Sequence, residues 1–168
     1  TFIKCLLDEE DFTGKIAFGP TVKYGYLPQI IHFSHPERTL YDTMLYEKNC
    51  SPQMARDRLG QFLFSGEDVF KTVGTLSGGE QSRLRLCMLM DEKINLLILD
   101  EPMAALDIAC KQSISEYIKR HKQEGGIVLI STHDLIEMEL CDEQYIIKNG
   151  VLNRFDYKGN LDELVKSL

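Results

Sequence analysis

The chain has 168 residues, 43% of them hydrophobic, and a formal net charge of −7. That length and apolar content suit one domain with a core of its own and exclude a disordered tail, while the acidic balance argues against a basic nucleic-acid-binding face, so no direct DNA contact is expected. Five cysteines without a C-x-x-C pair, no apolar run near the roughly 18 residues of a membrane span, and a start, TFIKCLLDEE, without a secretory cleavage pattern point to reduced, mostly buried thiols in a cytoplasmic protein.

In chain order, residues 1–7 read as the end of a helix and the acidic run 8–11 as a solvated turn. KIAF and VKYGYL, separated by Gly19 and Pro20, are predicted as two strands of a hairpin or edge sheet. From Thr39 to Lys93 the period turns helical: TLYDTMLYEK, then SPQMARDRLGQFLF with Ser51 as N-cap and Pro52 at the first helical position, then GEDVFKTV, then LSGGEQSRLRL. After Asn95 strands and helices alternate. LLILD and IVLIST are apolar runs of strand length, and LDIACKQSISEYIKRH between them is an amphipathic helix. HDLIEMELC is a short helix, QYIIKNG and VLNRFDY form a hairpin around Asn149-Gly150, and NLDELVKSL is a closing helix. Strand, helix, strand with fully apolar strands predicts a parallel sheet covered on both faces, hence an α/β fold.

Open α/β sheets bind ligands beyond the carboxyl ends of their strands. LLILD ends at Asp100 and continues into Glu101-Pro102; IVLIST ends at Thr132 and continues into His133-Asp134. An aspartate at a strand end offers a hydrated Mg²⁺ a hard oxygen, the next carboxylate can orient or deprotonate a water, and a histidine opposite can contact a terminal phosphate. Each also has an ordinary reading, Asp100-Glu101 as a solvated turn before a helix and His133 as the neighbour of a helix N-cap.

Ser77 and Glu80 have the S-x-x-E spacing of a capping box, which accounts for the serine by local stability alone. It does not account for Gly78 and Gly79, since each glycine early in a helix costs up to about 1 kcal/mol against alanine. Two side by side suggest close approach of a ligand to the backbone, and the free N–H groups and dipole of a helix N-terminus favour an anion such as phosphate.

LSGGEQ at 76–81, LLILDEP at 96–102, LD at 106–107 and STHD at 131–134 together resemble the ATP-binding cassette (ABC) ATPases, in the family's order and spacing over nearly the whole chain. The resemblance implies the ABC-type P-loop NTPase fold, with residues 39–92 as a helical subdomain carrying the signature and 93–168 as catalytic core and C-terminal hairpin. It implies ATP and Mg²⁺ as ligands and roles residue by residue. Gln29, after YGYLP, is the Q-loop glutamine near Mg²⁺ and the attacking water. Ser77, Gly78, Gly79 and Glu80 form the signature that meets the γ-phosphate of an ATP held by a second, facing cassette, in the same chain or in a homodimer. Asp100 holds Mg²⁺ through water, Glu101 is the catalytic base, Asp107 belongs to the D-loop and His133 is the switch histidine.

No G-x-x-x-x-G-K-[ST] occurs, and Gly14-Lys15 runs into Ile16. TFIKCLL resembles the helix that follows this loop in the family, which makes Thr1 its last residue and implies that the first strands and the phosphate loop lie outside these residues. The isolated fragment is then expected to be inactive. GPTVKYGYLPQ, the segment from Ala55 to Leu86 and YKGNLDEL resemble the soluble ABC-F proteins, which carry two cassettes and act on ribosomes. Met103-Ala104-Ala105 departs from that group's pattern, and STHDLIEMELCDEQYIIKNG is closer to transporter cassettes, whose partner is a membrane permease. A nucleotide-dependent clamp or structural ATPase module is a third reading, against which stands the absence of sustained heptads.

Among lesser candidates, His32 and His35 in HFSHPE lack further residues at metal-ligand spacing. Phe62, Leu63, Phe64, Val69, Phe70, Met88, Leu89 and Met90 are expected in the core, and Cys87 and Cys110 on apolar helix faces without a partner to activate them.

Overall fold

The structure, a computed structural model, describes residues 2–89, 93–104 and 106–155. They fall into two units, within residues 1–131 and 132–168.

The first unit is built on three parallel strands, β1 (Tyr24–Leu27), β2 (Leu96–Asp100) and β3 (Ile127–Ser131), with β2 in the middle. Asn95 fixes where β1 starts: Lys23 N donates to its side-chain oxygen at 2.8 Å, its amide donates to the Thr21 carbonyl at 2.9 Å, and its backbone N donates to the Lys23 carbonyl at 2.8 Å. From there the register runs Tyr24↔Leu96 to Leu27↔Leu99 on one side of β2, and Leu96↔Ile127 to Asp100↔Ser131 on the other. All three strands therefore end at one edge.

The expected hairpin of KIAF with VKYGYL does not form; residues 15–18 are not a strand, and only Tyr24–Leu27 is, paired in parallel with LLILD. Pro20 lacks the N–H a hairpin ladder would use, and pairing with the buried run LLILD covers more apolar surface. Ile16 and Phe18 stay exposed, with Phe18 stacked on Tyr24 at 5.4 Å. Coverage of both sheet faces holds for Leu97, Ile98 and Leu99, which are fully buried, but β3 lies at an edge of the described sheet and is half-exposed despite its apolar sequence.

Helices α1 (Phe2–Leu6), α2 (Leu40–Glu47), α3 (Pro52–Gln61), α4 (Gly78–Leu89) and α5 (Ile108–Gln123) complete the unit. Thr39 caps α2 by accepting from Asp42 N at 3.0 Å, and Ser51 caps α3 by accepting from Met54 N at 3.3 Å, with Pro52 in the first helical position as expected. GEDVFKTV is not one helix. It forms 3-10 turns at Gly66–Phe70 and Val73–Thr75, separated by extended Lys71 and Thr72, because Leu40 N takes the Lys71 carbonyl and Val73 N donates to the Arg38 carbonyl.

Phe62, Phe64, Val69, Met88 and Leu89 are buried as expected, whereas Leu63 and Phe70 are exposed. Leu63 is outside for a backbone reason. It adopts φ 62° just past α3, donates to the Gly60 carbonyl at 3.1 Å, and the next residue, Phe64, donates to the Leu59 carbonyl at 2.9 Å. That is a Schellman ending, in which the residues flanking the left-handed position are the ones that pack inward. Met90 lies outside the described residues. Arg83 on α4 ties this ending to the signature helix, donating to the Phe62 carbonyl at 3.2 Å with its guanidinium 4.7 Å above the Phe64 ring.

The second unit contains α6 (Leu135–Glu139) and the antiparallel pair β4 (Gln144–Lys148) and β5 (Val151–Phe155). Asn149 (φ 52°) and Gly150 (φ 77°) make the predicted two-residue turn, whose both-positive φ values match the strand twist. NLDELVKSL lies outside the described residues.

Candidate nucleotide site

Two clusters in the first unit gather the residues singled out by sequence. The first sits at the carboxyl edge of the sheet. Gln29 and Glu101 each lie two residues past the register pair Leu27↔Leu99, and the Gln29 amide Nε2 donates to Glu101 Oε2 at 2.8 Å. Asp100 ends β2 opposite Ser131, and Glu101 N donates to the Ser131 carbonyl at 2.8 Å. Glu101 then adopts φ 49°, the left-handed region that non-glycine residues rarely enter. A straight continuation would send its side chain after Leu97 and Leu99 into the core; the left-handed turn leaves it half-buried, where Gln29 reaches it.

Tyr26, on β1, is a neighbour that sequence reasoning missed. Its hydroxyl is pushed up from the ordinary tyrosine value by burial first and then by the Asp100 charge. The signal was available in the alternation of YGYLPQ, had the strand been paired with LLILD. Asp100 brings a carboxylate and Gln29 an amide to the same strand ends, hard oxygen donors of the kind that hold Mg²⁺.

The second cluster is the start of α4. Ser77 N donates to Glu80 Oε2 at 2.9 Å, the Ser77 hydroxyl donates to the same oxygen at 2.8 Å, and Glu80 N approaches the Ser77 hydroxyl oxygen at 3.4 Å. This is the capping box in full. The Ser77 backbone N–H, before Lys71 at 3.7 Å, holds the Glu80 carboxyl below its ordinary value.

The paired glycines separate into two cases. A Cβ on Gly78 would meet nothing within 4 Å, whereas one on Gly79 would lie 2.9 Å from Leu106 Cδ2 and 4.0 Å from Cys110 Sγ. Gly79 thus has a reason inside the chain, close packing against the segment that follows Glu101. Gly78 has none there, and as an exposed first helical residue its N–H has no intrahelical partner.

Asp107 caps α5, accepting from Cys110 N at 2.8 Å and from the Cys110 thiol at 3.1 Å, and these bonds hold its carboxyl low. Cys110 thus bonds to Asp107, yet burial and that bond push its thiol up, so the contact does not activate it. Burial pushes Cys87 up to about 12. Among the described residues no disulfide joins the cysteines; Cys50, Cys87 and Cys110 are buried, Cys5 and Cys141 partly so. His133 is exposed in the second unit, between Thr132 and Asp134, whose backbone N donates to the Thr132 hydroxyl at 2.8 Å. His35 contacts Glu37 at 3.1 Å. Thr1 lies outside the described residues.

The ABC transporter family model matches residues 4–104. The chain belongs to this family of ATP-binding cassettes. Among curated relatives of the cassette, the probable ATP-binding protein YheS of Haemophilus influenzae is 30% identical over 171 residues, covering 100% of this chain and 26% of its own length. The probable ATP-binding cassette sub-family F member 3 homolog of Encephalitozoon cuniculi is 34% identical over 172 residues, covering 100% of this chain and 29% of its own. The cassette thus spans less than a third of the length of these relatives, which bear out the ABC-F resemblance. Among solved structures, a dimeric post-hydrolysis state of an ATP-binding cassette bound to ADP and Pi matches with a TM-score of 0.64 at 20% identity, over 79% of this chain and 62% of that one. A complex of an archaeal ribosomal stalk protein with an archaeal ribosome recycling factor matches with a TM-score of 0.71 at 22% identity, over 99% and 34%. The cassette shares their α/β fold. No described helix is long and apolar enough to cross a membrane.

Proposed function

We propose that the intact protein is a cytoplasmic ATPase of the ABC-F type, in which this cassette pairs with a second one and which works at the ribosome as a translation or protection factor. The observation that carries the hydrolytic part is the meeting of Gln29 and Glu101 beside Asp100 at the ends of parallel strands. In this reading Glu101 accepts the proton of the attacking water, and Ser77 and the Gly78 N–H grip the γ-phosphate of a nucleotide presented by the facing cassette. His133 is the switch histidine of this reading, and Asp107 keeps the segment from Glu101 to α5 in place. Asp100 would be the protein-side oxygen for Mg²⁺, which would supply charge neutralisation at the phosphates.

Glu101→Gln in the intact protein is expected to abolish ATP turnover while leaving nucleotide bound; an unchanged hydrolysis rate removes Glu101 from this role. Since no phosphate loop occurs in the 168 residues, these alone are expected to bind MgATP more weakly than micromolar by calorimetry. The ribosomal part rests on the resemblance to the ABC-F proteins, a group the sub-family F relative supports, and is tested by sedimentation. The Glu101→Gln protein should travel with ribosomes in ATP; co-purification with a membrane permease instead would favour transport.

A further inference from the structure

We propose that Lys71 is a positioning residue for the start of α4: its ammonium offsets the Glu80 carboxylate, so that this helix start can receive a phosphate. This rests on the reading of Ser77 and Gly78 as the grip on a γ-phosphate. The capping box creates the need. Ser77 N and the Ser77 hydroxyl both donate to Glu80 Oε2, at 2.9 and 2.8 Å, which sets a negative charge beside the N–H groups that favour an anion. A second anion arriving there meets like charge at short range.

The compensating cation comes from another part of the fold. Lys71 Nζ lies 3.7 Å from the other carboxylate oxygen, Glu80 Oε1, and 2.7 Å from Asp68 Oδ1. The Lys71 backbone is held on both sides: its N donates to the Asp68 carbonyl at 3.1 Å, and its carbonyl accepts from Leu40 N, at the start of α2, at 3.1 Å. The packing of the 3-10 turn on α2 therefore delivers the ammonium to Glu80. With the lysine side chain 48% exposed, the pair adds little to stability, and its effect lies in the local charge. A carboxylate oxygen only accepts, so the Ser77 hydroxyl points its one proton at Glu80. With Lys71 at Oε1 and Ser77 N at Oε2, that hydroxyl can turn to a phosphate while the carboxylate stays held and neutralised.

Substitutions in the intact protein test this. Lys71→Ala is expected to lower kcat for ATP at least about fivefold, while affinity for MgADP, which presents no γ-phosphate, stays within about twofold of the parent by calorimetry. Lys71→Arg keeps the charge and should retain kcat within about threefold. In a Glu80→Gln background no carboxylate is left to offset, so Lys71→Ala should lower kcat by less than about twofold further. Asp68→Ala removes the nearer partner of Lys71 but not its charge, and should keep kcat within about twofold. A Lys71→Ala loss of the same size in the Glu80→Gln background, an equal loss in Asp68→Ala, or a loss of MgADP affinity overturns the inference and leaves the reading of the helix start standing. Unchanged turnover in Ser77→Ala overturns that reading, and the inference with it.

Discussion

The sheet-edge cluster and the start of α4 are assembled in opposite ways. Gln29 and Glu101 are 72 residues apart and meet only because two parallel strands are in one particular register. Ser77 and Glu80 are three residues apart and bond to each other as any capping box does. The first arrangement depends on the fold and yields a held carboxylate; the second is local and leaves an open backbone face at Gly78. A site made of one long-range and one local part should therefore respond to mutation in two distinct ways, catalysis without stability in the first and stability or ligand grip in the second.

The largest expected effect is at the sheet edge. Glu101→Gln should remove turnover by a factor of about 10³ or more in the intact protein, as loss of a general base does at its upper range, with little change in unfolding free energy. A large loss of stability instead would mean that the carboxylate is a structural element and would erase the contrast.

At the helix start, the two glycines should behave differently. Gly79→Ala must displace Leu106, and should be less stable than Gly78→Ala by about 1 kcal/mol or more in denaturant unfolding. Gly78→Ala should fold as well as the parent or slightly better, because alanine is the better helix former by up to about 1 kcal/mol, while weakening nucleotide-dependent pairing of the cassettes. Equal stabilities for the two would show that Leu106 moves aside freely.

Ser77→Ala should destabilise by about 0.5–2 kcal/mol through loss of the cap. The smallest effect is a pH dependence. Glu80 has its carboxyl held below the ordinary value of 4.5, so the stabilisation it provides is present above that pH and is lost as pH falls through the lower folded-state value. Glu80→Gln should be less stable than the parent at neutral pH, with the difference vanishing in acid. A gap that persists unchanged into acid would assign it to packing rather than charge.

The same contrast explains what could be read in the sequence. The cap residues Ser51 and Ser77, the Asn149-Gly150 turn and the strand LLILD were legible because each is decided by neighbours in sequence. The pairing of VKYGYL was misjudged because a short apolar run does not say which partner it takes; the choice was made by LLILD, buried at the centre of the sheet. The exposure of Leu63 was invisible because it follows from the left-handed ending of α3, and Leu is an uncommon residue there. The paired glycines looked like one signal and proved to be two. The partner that explains Gly79, Leu106, is far off in sequence and becomes its neighbour only when α4 packs on the segment after Glu101.

The most direct test of the account is a structure of the intact Glu101→Gln protein with MgATP. The account predicts the Gly78 N–H and the Ser77 hydroxyl within hydrogen-bond distance of the γ-phosphate of a nucleotide seated in the opposing cassette. A nucleotide bound with that helix start turned away from it, or covered by the protein's own chain, would contradict it.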